Sequence, residues 1–396
     1  MTLLTELEAQ LQQREAQHLK RSRAVVESAS GTHVQVDGKT LLCFCSNDYL
    51  GLANHPKVVE AFVAAAKQYG VGSGASHLVS GHTALHHQLE ETFARITGRE
   101  KALLFSTGYM ANMGVITALL DKQDAIFEDK LNHASLLDGG LLSGAKFQRY
   151  LHNDMTSLEK HLEKTSSRRK LICVDGVFSM DGDIARLPEL AKLAHEYDAL
   201  LMVDDAHGFG VLGENGLGCC DALALTVSQV PLLMCTLGKA LGTFGALVAG
   251  PETLIETLVQ YARPYIYTTA LPPAVAAATI MSLKLLDTEA WRRDKLQELI
   301  TFFRQEAALI GLPLMPSTTA IQPLLIGDEA MALKWQEQLK QAGFWISAIR
   351  TPTVAKGAAR LRITFSANHT KADIQQLLDT LNTLQKRLPL LNRVSA

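Results

Sequence analysis

The sequence predicts an α/β fold: a large domain built on a mostly parallel sheet, followed by a smaller α+β domain. Three observations predict it. Short apolar runs rich in Val, Ile, Leu and Phe recur at 101–105 (KALLF), 125–127 (AIF), 171–174 (LICV), 199–203 (ALLMV) and 232–236 (LLMCT). Helical patterns at 109–120, 154–163 and 188–197 separate most of them. Strands apolar along their whole length, alternating with helices, belong to a sheet covered on both faces. After LPPAVAAATI at 271–280 the texture changes, and helical patterns at 282–309, 329–342 and 371–387 surround short strands at 321–326, 344–349 and 361–365.

Residues 3–19 place leucines at 3, 4, 7, 11 and 19, a helical spacing, and a basic patch, KRSR, follows at 20–23. We therefore expect an N-terminal helix and arm over 1–45, the large α/β domain over 46–285 and the small α+β domain over 286–396. A chain of 396 residues is long enough for two domains and a large core. Its 47% apolar and 20% charged residues are the balance of a soluble globular protein. A net charge of -2 gives no overall pull toward nucleic acid or an anionic membrane. No apolar run approaches the roughly 18 residues of a membrane helix. The start carries acids and glutamines where a secretory signal has a basic and then an apolar stretch. The six cysteines (Cys43, Cys45, Cys173, Cys219, Cys220 and Cys235) show no C-x-x-C pair. These features predict buried free thiols, a cytoplasmic protein and no metal site.

Ligands of such sheets bind at the carboxyl ends of the strands, and four loops there carry unusual residues. Ser106-Thr107-Gly108-Tyr109 joins a strand to a helix, where backbone N–H groups and the helix dipole suit an anion, although a plain turn uses glycine too. Asn132-His133-Ala134-Ser135 puts a histidine ahead of a helix, as a cap or as a functional group. In Val203-Asp204-Asp205-Ala206-His207 a buried-type strand runs into two carboxylates and a histidine. An aspartate there must meet a donor or a cation, whether a metal, a structural partner or a ligand.

The fourth loop is MCTLGKALGTFGA at 234–246, whose lysine, Lys239, is set among small and apolar residues. A phosphate-loop motif would need glycine at 233 and Ser or Thr at 240, where the chain has Leu233 and Ala240. A structural lysine reaching solvent is a second reading. The third is an amine kept partly dry so that it is neutral and nucleophilic. Together with an aspartate at a strand end, that reading points to pyridoxal 5'-phosphate (PLP). Its aldehyde condenses with a lysine, its ring nitrogen wants a carboxylate, its phosphate wants a helix N-terminus and its ring wants a flat neighbour such as His133.

Asp204-x-x-His207, Thr236-x-x-Lys239, Asn132-His133-Ala134-Ser135 and Ser46-Asn47-Asp48-Tyr49-Leu50-Gly51 together resemble the α-oxoamine synthases. These are fold-type-I PLP-dependent transferases that join an amino acid to an acyl thioester with loss of carbon dioxide. The likeness runs from about residue 18 to 385 and includes Gly72-Ser73-Gly74 to Gly81, Asp175-Gly176-Val177-Phe178-Ser179-Met180-Asp181-Gly182 and Ala348-Ile349-Arg350-Thr351-Pro352-Thr353. The last segment and the basic start are most similar to members that join L-alanine to a pimeloyl thioester in biotin biosynthesis. The acyl group would arrive on coenzyme A or on acyl carrier protein. Sister enzymes such as 2-amino-3-ketobutyrate CoA ligase share the cofactor machinery and stay as alternatives, as does a non-catalytic PLP-binding module.

The resemblance implies a role for each matching residue. Lys239 would hold the cofactor aldehyde and then act as general base, Asp204 would pair with the ring nitrogen, and His207 would face the ring oxygen. His133 would stack on the ring and hydrogen-bond the reacting substrate. Ser179 and Thr236 would bond the phenolic oxygen or phosphate, and Gly108 and Tyr109 would offer backbone donors to the phosphate. Arg350 would grip the amino-acid carboxylate, and Arg21, or Arg23 in its place, would face the far carboxyl of the acyl chain. Asn47 and Thr353 would line the substrate site. The family implies a homodimer, with Thr268 and Thr269 reaching the neighbour's phosphate. Residues 75–78 (Ala-Ser-His-Leu) and Thr351 depart from the usual pattern and bear on acyl preference.

Overall fold

Runs of three to five residues with no polar interior position are stable where both faces are covered, and the computed structural model places them so. It describes residues 2–389; residues 1 and 390–396, the latter within the expected C-terminal domain, lie outside the described residues. Contacts divide the chain into two units. The larger holds Asp48–Ser179 and Asp183–Asp294, and the smaller holds the described parts of Met1–Asn47, Met180–Gly182 and Lys295–Ala396.

The chain begins with a helix, Leu3–Ala16, that buries none of its residues. Strands β1 (His33–Val36) and β2 (Lys39–Cys43) form an antiparallel hairpin around Asp37-Gly38.

The larger unit is organised by a seven-stranded sheet of β3 (Lys101–Phe105), β4 (Ala125–Asp129), β5 (Lys146–Tyr150), β6 (Lys170–Asp175), β7 (Leu200–Asp204), β8 (Leu232–Thr236) and β9 (Ala246–Gly250). The spatial order is β3-β9-β8-β7-β6-β4-β5. Only β9 runs against the others, pairing antiparallel with β3 and β8. The expected α/β class and mostly parallel sheet are therefore observed. Leu201, Met202 and Val203 are at most 1% exposed, and each such side chain removed from water is worth about 1.5–3 kcal/mol.

Because six strands point the same way, their carboxyl ends share one edge of the sheet. On that edge Phe105 leads into Gly108, Asp129 into His133, Asp204 into His207 and Thr236 into Lys239. The register sets Asp175 directly beside Asp204 on adjacent parallel strands. Helices Gly108–Leu119 and Ala134–Ser143 pack closely, since a Cβ on Gly139 would lie 2.8 Å from Ile116 Cδ1 and 3.4 Å from Asn112 O.

In the smaller unit β10 (Ile321–Gly327), β11 (Phe344–Trp345), β12 (Ser347–Ile349) and β13 (Ala359–Thr364) make two sheets. One has the order β1-β2-β11 and the other β10-β13-β12. The single strand expected over 344–349 is thus two strands in two sheets, divided at the buried Ile346. The helical pattern expected over 282–309 is likewise two helices, Pro273–Thr288 and Trp291–Leu309. Phe44, Phe303, Phe365 and Trp335 are fully buried in this unit. His369 stacks on Phe44 at 4.4 Å and bonds the Cys43 carbonyl at 3.1 Å; burial pushes its pKa down to about 4.

Candidate active site

The Lys239 turn follows β8 directly. Its Nζ lies 2.8 Å from His207 Nε2, and the opposite ring nitrogen of His207, Nδ1, lies 2.7 Å from the Tyr49 hydroxyl. Lys239 is half-buried, whereas His207 and Tyr49 are buried. The amine is therefore drawn inward onto an imidazole, which fits neither a lysine extended to solvent nor a phosphate-loop lysine. The turn is closed by the Gly242 N–H donating to the Lys239 carbonyl at 2.9 Å.

Asp204 ends β7 and is buried. Its Oδ1 accepts from the Ala206 N–H at 3.0 Å and its Oδ2 from Asn112 Nδ2 at 2.7 Å. A carboxylate with two fixed donors in a buried position meets the demand for partners that its strand-end location sets. Asp205, next along, turns the other way: its Oδ2 accepts from the Cys219 N–H at 2.7 Å, and burial raises its pKa to about 6. The two aspartates are thus not a metal pair.

His133 caps the helix Ala134–Ser143 with its exposed ring. Its Nδ1 lies 2.8 Å from Ser135 Oγ and accepts the Ser135 N–H at 3.3 Å. Its backbone N–H donates to Asp175 Oδ2 at 2.9 Å. Protein packed around the nitrogens lowers the pKa of His133; the Asp204 charge opposes this and the Lys239 charge adds to it. Those effects require Lys239, Asp204 and His133 to share one neighbourhood. Asp175, fully buried and facing the same charges, has its carboxyl held well above the ordinary range, first by burial and then by Asp204.

The helix Gly108–Leu119 starts beside the same edge. Thr107 accepts from the Met110 N–H at 3.1 Å, while the N–H groups of Gly108 and Tyr109, as in any first turn, have no partner within the helix. A Cβ on Gly108 would lie 3.3 Å from Thr236 Cγ2, so this helix start abuts the end of β8. Tyr109 bonds Asp138, and its ring meets His133 edge-on at 6.2 Å. Ser179 is half-buried four residues beyond the end of β6. Thr269 pairs with Ser76, and its carbonyl accepts from Ser106 Oγ at 3.3 Å; its neighbour Thr268 is half-buried.

The smaller unit gathers the other expected residues. Arg21 Nη2 donates to Thr353 Oγ1 at 3.3 Å, and Arg350 bonds the His18 carbonyl. Burial, and then the nearby Arg21, lowers the pKa of Arg350. Asn47 Oδ1 accepts from Arg362 Nη1 at 3.1 Å on β13, and Arg362 is a buried guanidinium that the sequence reading passed over. It also passed over Tyr49, Asn112, Ser135 and Asp175 as partners of the site.

A second cluster of titratable groups lies apart. His77, His82 and His86 pack together, with Nδ1 of His77 and of His82 2.9 Å apart. His86 is fully engaged by the backbone, accepting the Thr83 N–H at 2.9 Å and donating to the Leu271 carbonyl at 2.8 Å. It therefore fastens two segments and has no lone pair left for a metal.

The donor set at the strand ends (an amine, a carboxylate with fixed donors, an exposed imidazole and a helix N-terminus) is one that PLP fits. Comparison with known proteins agrees. The family model for aminotransferase class I and II matches residues 39–381. An 8-amino-7-oxononanoate synthase of Saccharophagus degradans is 61% identical over 390 residues, 98% of each chain. A solved structure of SPT with its PLP internal aldimine superposes with a TM-score of 0.93 at 29% identity, covering 99% of this chain and 100% of the other. The 8-amino-7-oxononanoate synthase structure from Francisella tularensis is 34% identical, with a TM-score of 0.77, covering 88% of this chain and 98% of the other. A family match that spans both units, over the same strands whose ends carry Lys239 and Asp204, establishes that the chain belongs to the aminotransferase class I and II family.

Proposed function

We propose that this chain is a PLP-dependent acyltransferase that condenses L-alanine with a pimeloyl thioester, releasing carbon dioxide and the thiol, in biotin biosynthesis. This is the reaction of the 8-amino-7-oxononanoate synthases. The observation that carries the reading is the Lys239–His207 contact at 2.8 Å beside the Asp204 carboxylate, in a chain 61% identical to such a synthase. PLP, when bound, supplies an aldehyde for an amine and a cationic ring that draws electrons from the adjacent carbon.

Lys239 Nζ would hold the aldehyde and move the proton at the alanine α-carbon, a task for a neutral amine. Asp204 would hold the ring nitrogen, with Asn112 and the Ala206 N–H fixing its two oxygens. His207, held at Nδ1 by Tyr49, would face the ring oxygen. His133 would cover the ring and offer a hydrogen bond to the reacting carbonyl or carboxylate. Gly108, Tyr109, Thr236 and Ser179 would hold the phosphate and ring oxygen. Arg350 would take the alanine carboxylate, Arg21 with Thr353 the far carboxyl of the acyl chain, and Asn47 would line the same pocket. The enzyme would be a cytoplasmic homodimer in which Thr268 and Thr269 reach the neighbour's phosphate, and the donor would come on coenzyme A or acyl carrier protein. No helix among the described residues is long and apolar enough to cross a membrane.

The test offers alanine, glycine or serine with pimeloyl, acetyl, succinyl or palmitoyl thioesters and identifies the products by mass. Product from alanine and pimeloyl thioester is expected; product only from glycine and acetyl thioester would overturn the substrate assignment. Borohydride should fix PLP to Lys239. Lys239→Ala should lose both that adduct and turnover, and a variant with normal activity would refute the assigned role.

A further inference from the structure

Asn112 lies just inside the helix Gly108–Leu119, with its side chain completely buried. Asparagine is a poor helix former, because its amide competes for the backbone. Here the amide is spent elsewhere. Its Nδ2 donates one hydrogen to Asp204 Oδ2 at 2.7 Å and the other to Ser135 Oγ at 2.8 Å. A carboxylate only accepts, so the nitrogen and not the oxygen of the amide must face Asp204. That choice leaves Asn112 Oδ1 buried without a partner, a cost of the kind native structures rarely keep without a return.

The chain of bonds continues. Ser135 Oγ accepts from Asn112, so its own hydrogen is free to point at His133 Nδ1, 2.8 Å away. His133 Nδ1 also accepts the Ser135 N–H at 3.3 Å. With two donors aimed at Nδ1, the neutral ring carries its proton on Nε2. The close approach of the two helices at Gly139 is what lets the amide span Asp204 and Ser135, which belong to different elements.

We propose that Asn112 is a positioning residue that ties the Asp204 carboxylate to the His133 ring, holding the first in its orientation and, through Ser135, the second in its Nε2–H form. This rests on the reading that Asp204 and His133 face the cofactor ring. One amide then sets both the partner of the ring nitrogen and the group that covers the ring.

The experiment uses the full chain, stripped of cofactor and titrated with PLP, in wild-type form and as Asn112→Ala, Asn112→Asp and Ser135→Ala. It reads the PLP dissociation constant, the pH midpoint of the bound cofactor's absorbance, the melting temperature of the apo form, and kcat and KM. Asn112→Ala should weaken PLP by about tenfold or more, the loss of a charge-assisted bond. Asn112→Asp keeps the shape but sets a second carboxyl against Asp204. Two carboxyls in contact share a proton, so the absorbance midpoint should move by about one pH unit or more. Ser135→Ala should keep PLP affinity within about threefold, lower kcat more than it changes KM, and shift the pH limb of kcat that reports His133. Equal PLP affinity and an unmoved midpoint in the Asn112 variants, with or without a lower apo melting temperature, would overturn the proposal by making Asn112 merely structural. Should the Asn112 variants fail to fold, an unchanged pH limb in Ser135→Ala overturns it alone. A wild-type chain that takes no PLP would instead sink the functional reading, and this proposal with it.

Discussion

Gly242 stands three residues after Lys239, at φ +66°, with its N–H closing the turn on the Lys239 carbonyl at 2.9 Å. A Cβ at this position would lie 2.3 Å from Ala53 N and 2.6 Å from Leu52 C, where ordinary contact is 3.4–4 Å. Both obstacles are backbone, so neither can swing aside as a long side chain would. The left-handed conformation costs an L-residue about 1–2 kcal/mol. Forcing one extra methyl into a packed site costs a further ~1–3 kcal/mol. A protein stable by about 5–15 kcal/mol survives such a loss, but the cheapest relief is to open the turn, and that carries Lys239 away from His207. Gly242→Ala should therefore fold with a melting temperature lowered by a few degrees. It should trap less PLP on Lys239 with borohydride and lose about tenfold or more in kcat/KM. The assay is apo melting, mass analysis of the Lys239 peptide after borohydride, and turnover with alanine and pimeloyl thioester. Melting within about 1 °C of the wild type, with trapping and rate within twofold, would refute the close approach and the coupling to Lys239.

Tyr49→Phe removes one oxygen from a ring that is 1% exposed and leaves His207 Nδ1 without its 2.7 Å partner. A buried group stripped of its bond costs about 1–3 kcal/mol. The variant should lose roughly tenfold in kcat/KM and its apo form should melt about a few degrees lower, and an unchanged rate would show that His207 needs no anchor. For His77, burial and then the neighbouring His86 and His82 push the pKa down to about 3 from 6.5. The unfolded chain then binds the extra proton as pH falls, so the stability this residue lends is whole above about pH 6.5 and drains away toward pH 3. Between pH 7.5 and 5 the wild type should lose about 2 kcal/mol relative to His77→Phe, read as hydrogen-exchange protection of the amides over 76–86. A constant difference across that range would rule out a neutral buried His77.

The five apolar runs recognised in the sequence fall in five strands of the large sheet, because the interior of a strand covered on both faces is mostly apolar; the buried acids Glu128, Asp129, Asp175 and Asp204 sit at or next to the carboxyl ends. Of the large sheet, the two strands passed over are β5 and β9. β5, KFQRY at the sheet edge, is half wet and carries charges like a surface segment. β9, ALVAG, is apolar but follows β8 with no helix between, so no alternation marks it. Lys239, Asp204 and His207 stand out in the sequence because each is a polar residue at or just beyond the end of an apolar run, where only a ligand or partner offsets its burial; His133 stands out as a histidine ahead of a helix, and its ring is exposed. Residues 344–349 show the opposite case. The apolar pattern is continuous there, and only the positions of β2 and β13 decide that it is shared between two sheets.

Partnership is what local pattern does not encode. Tyr49 meets His207 across 158 residues, and Asn112 meets Asp204 across 92. A tyrosine in a buried segment or an asparagine inside a helix looks the same whether its polar atom faces water or another side chain. Hydropathy and spacing follow from the solvent each residue avoids, so one chain read along its length reports them. Which donor faces which acceptor is fixed only when strand register and helix packing bring distant residues within 3 Å, and that is settled by the folded core.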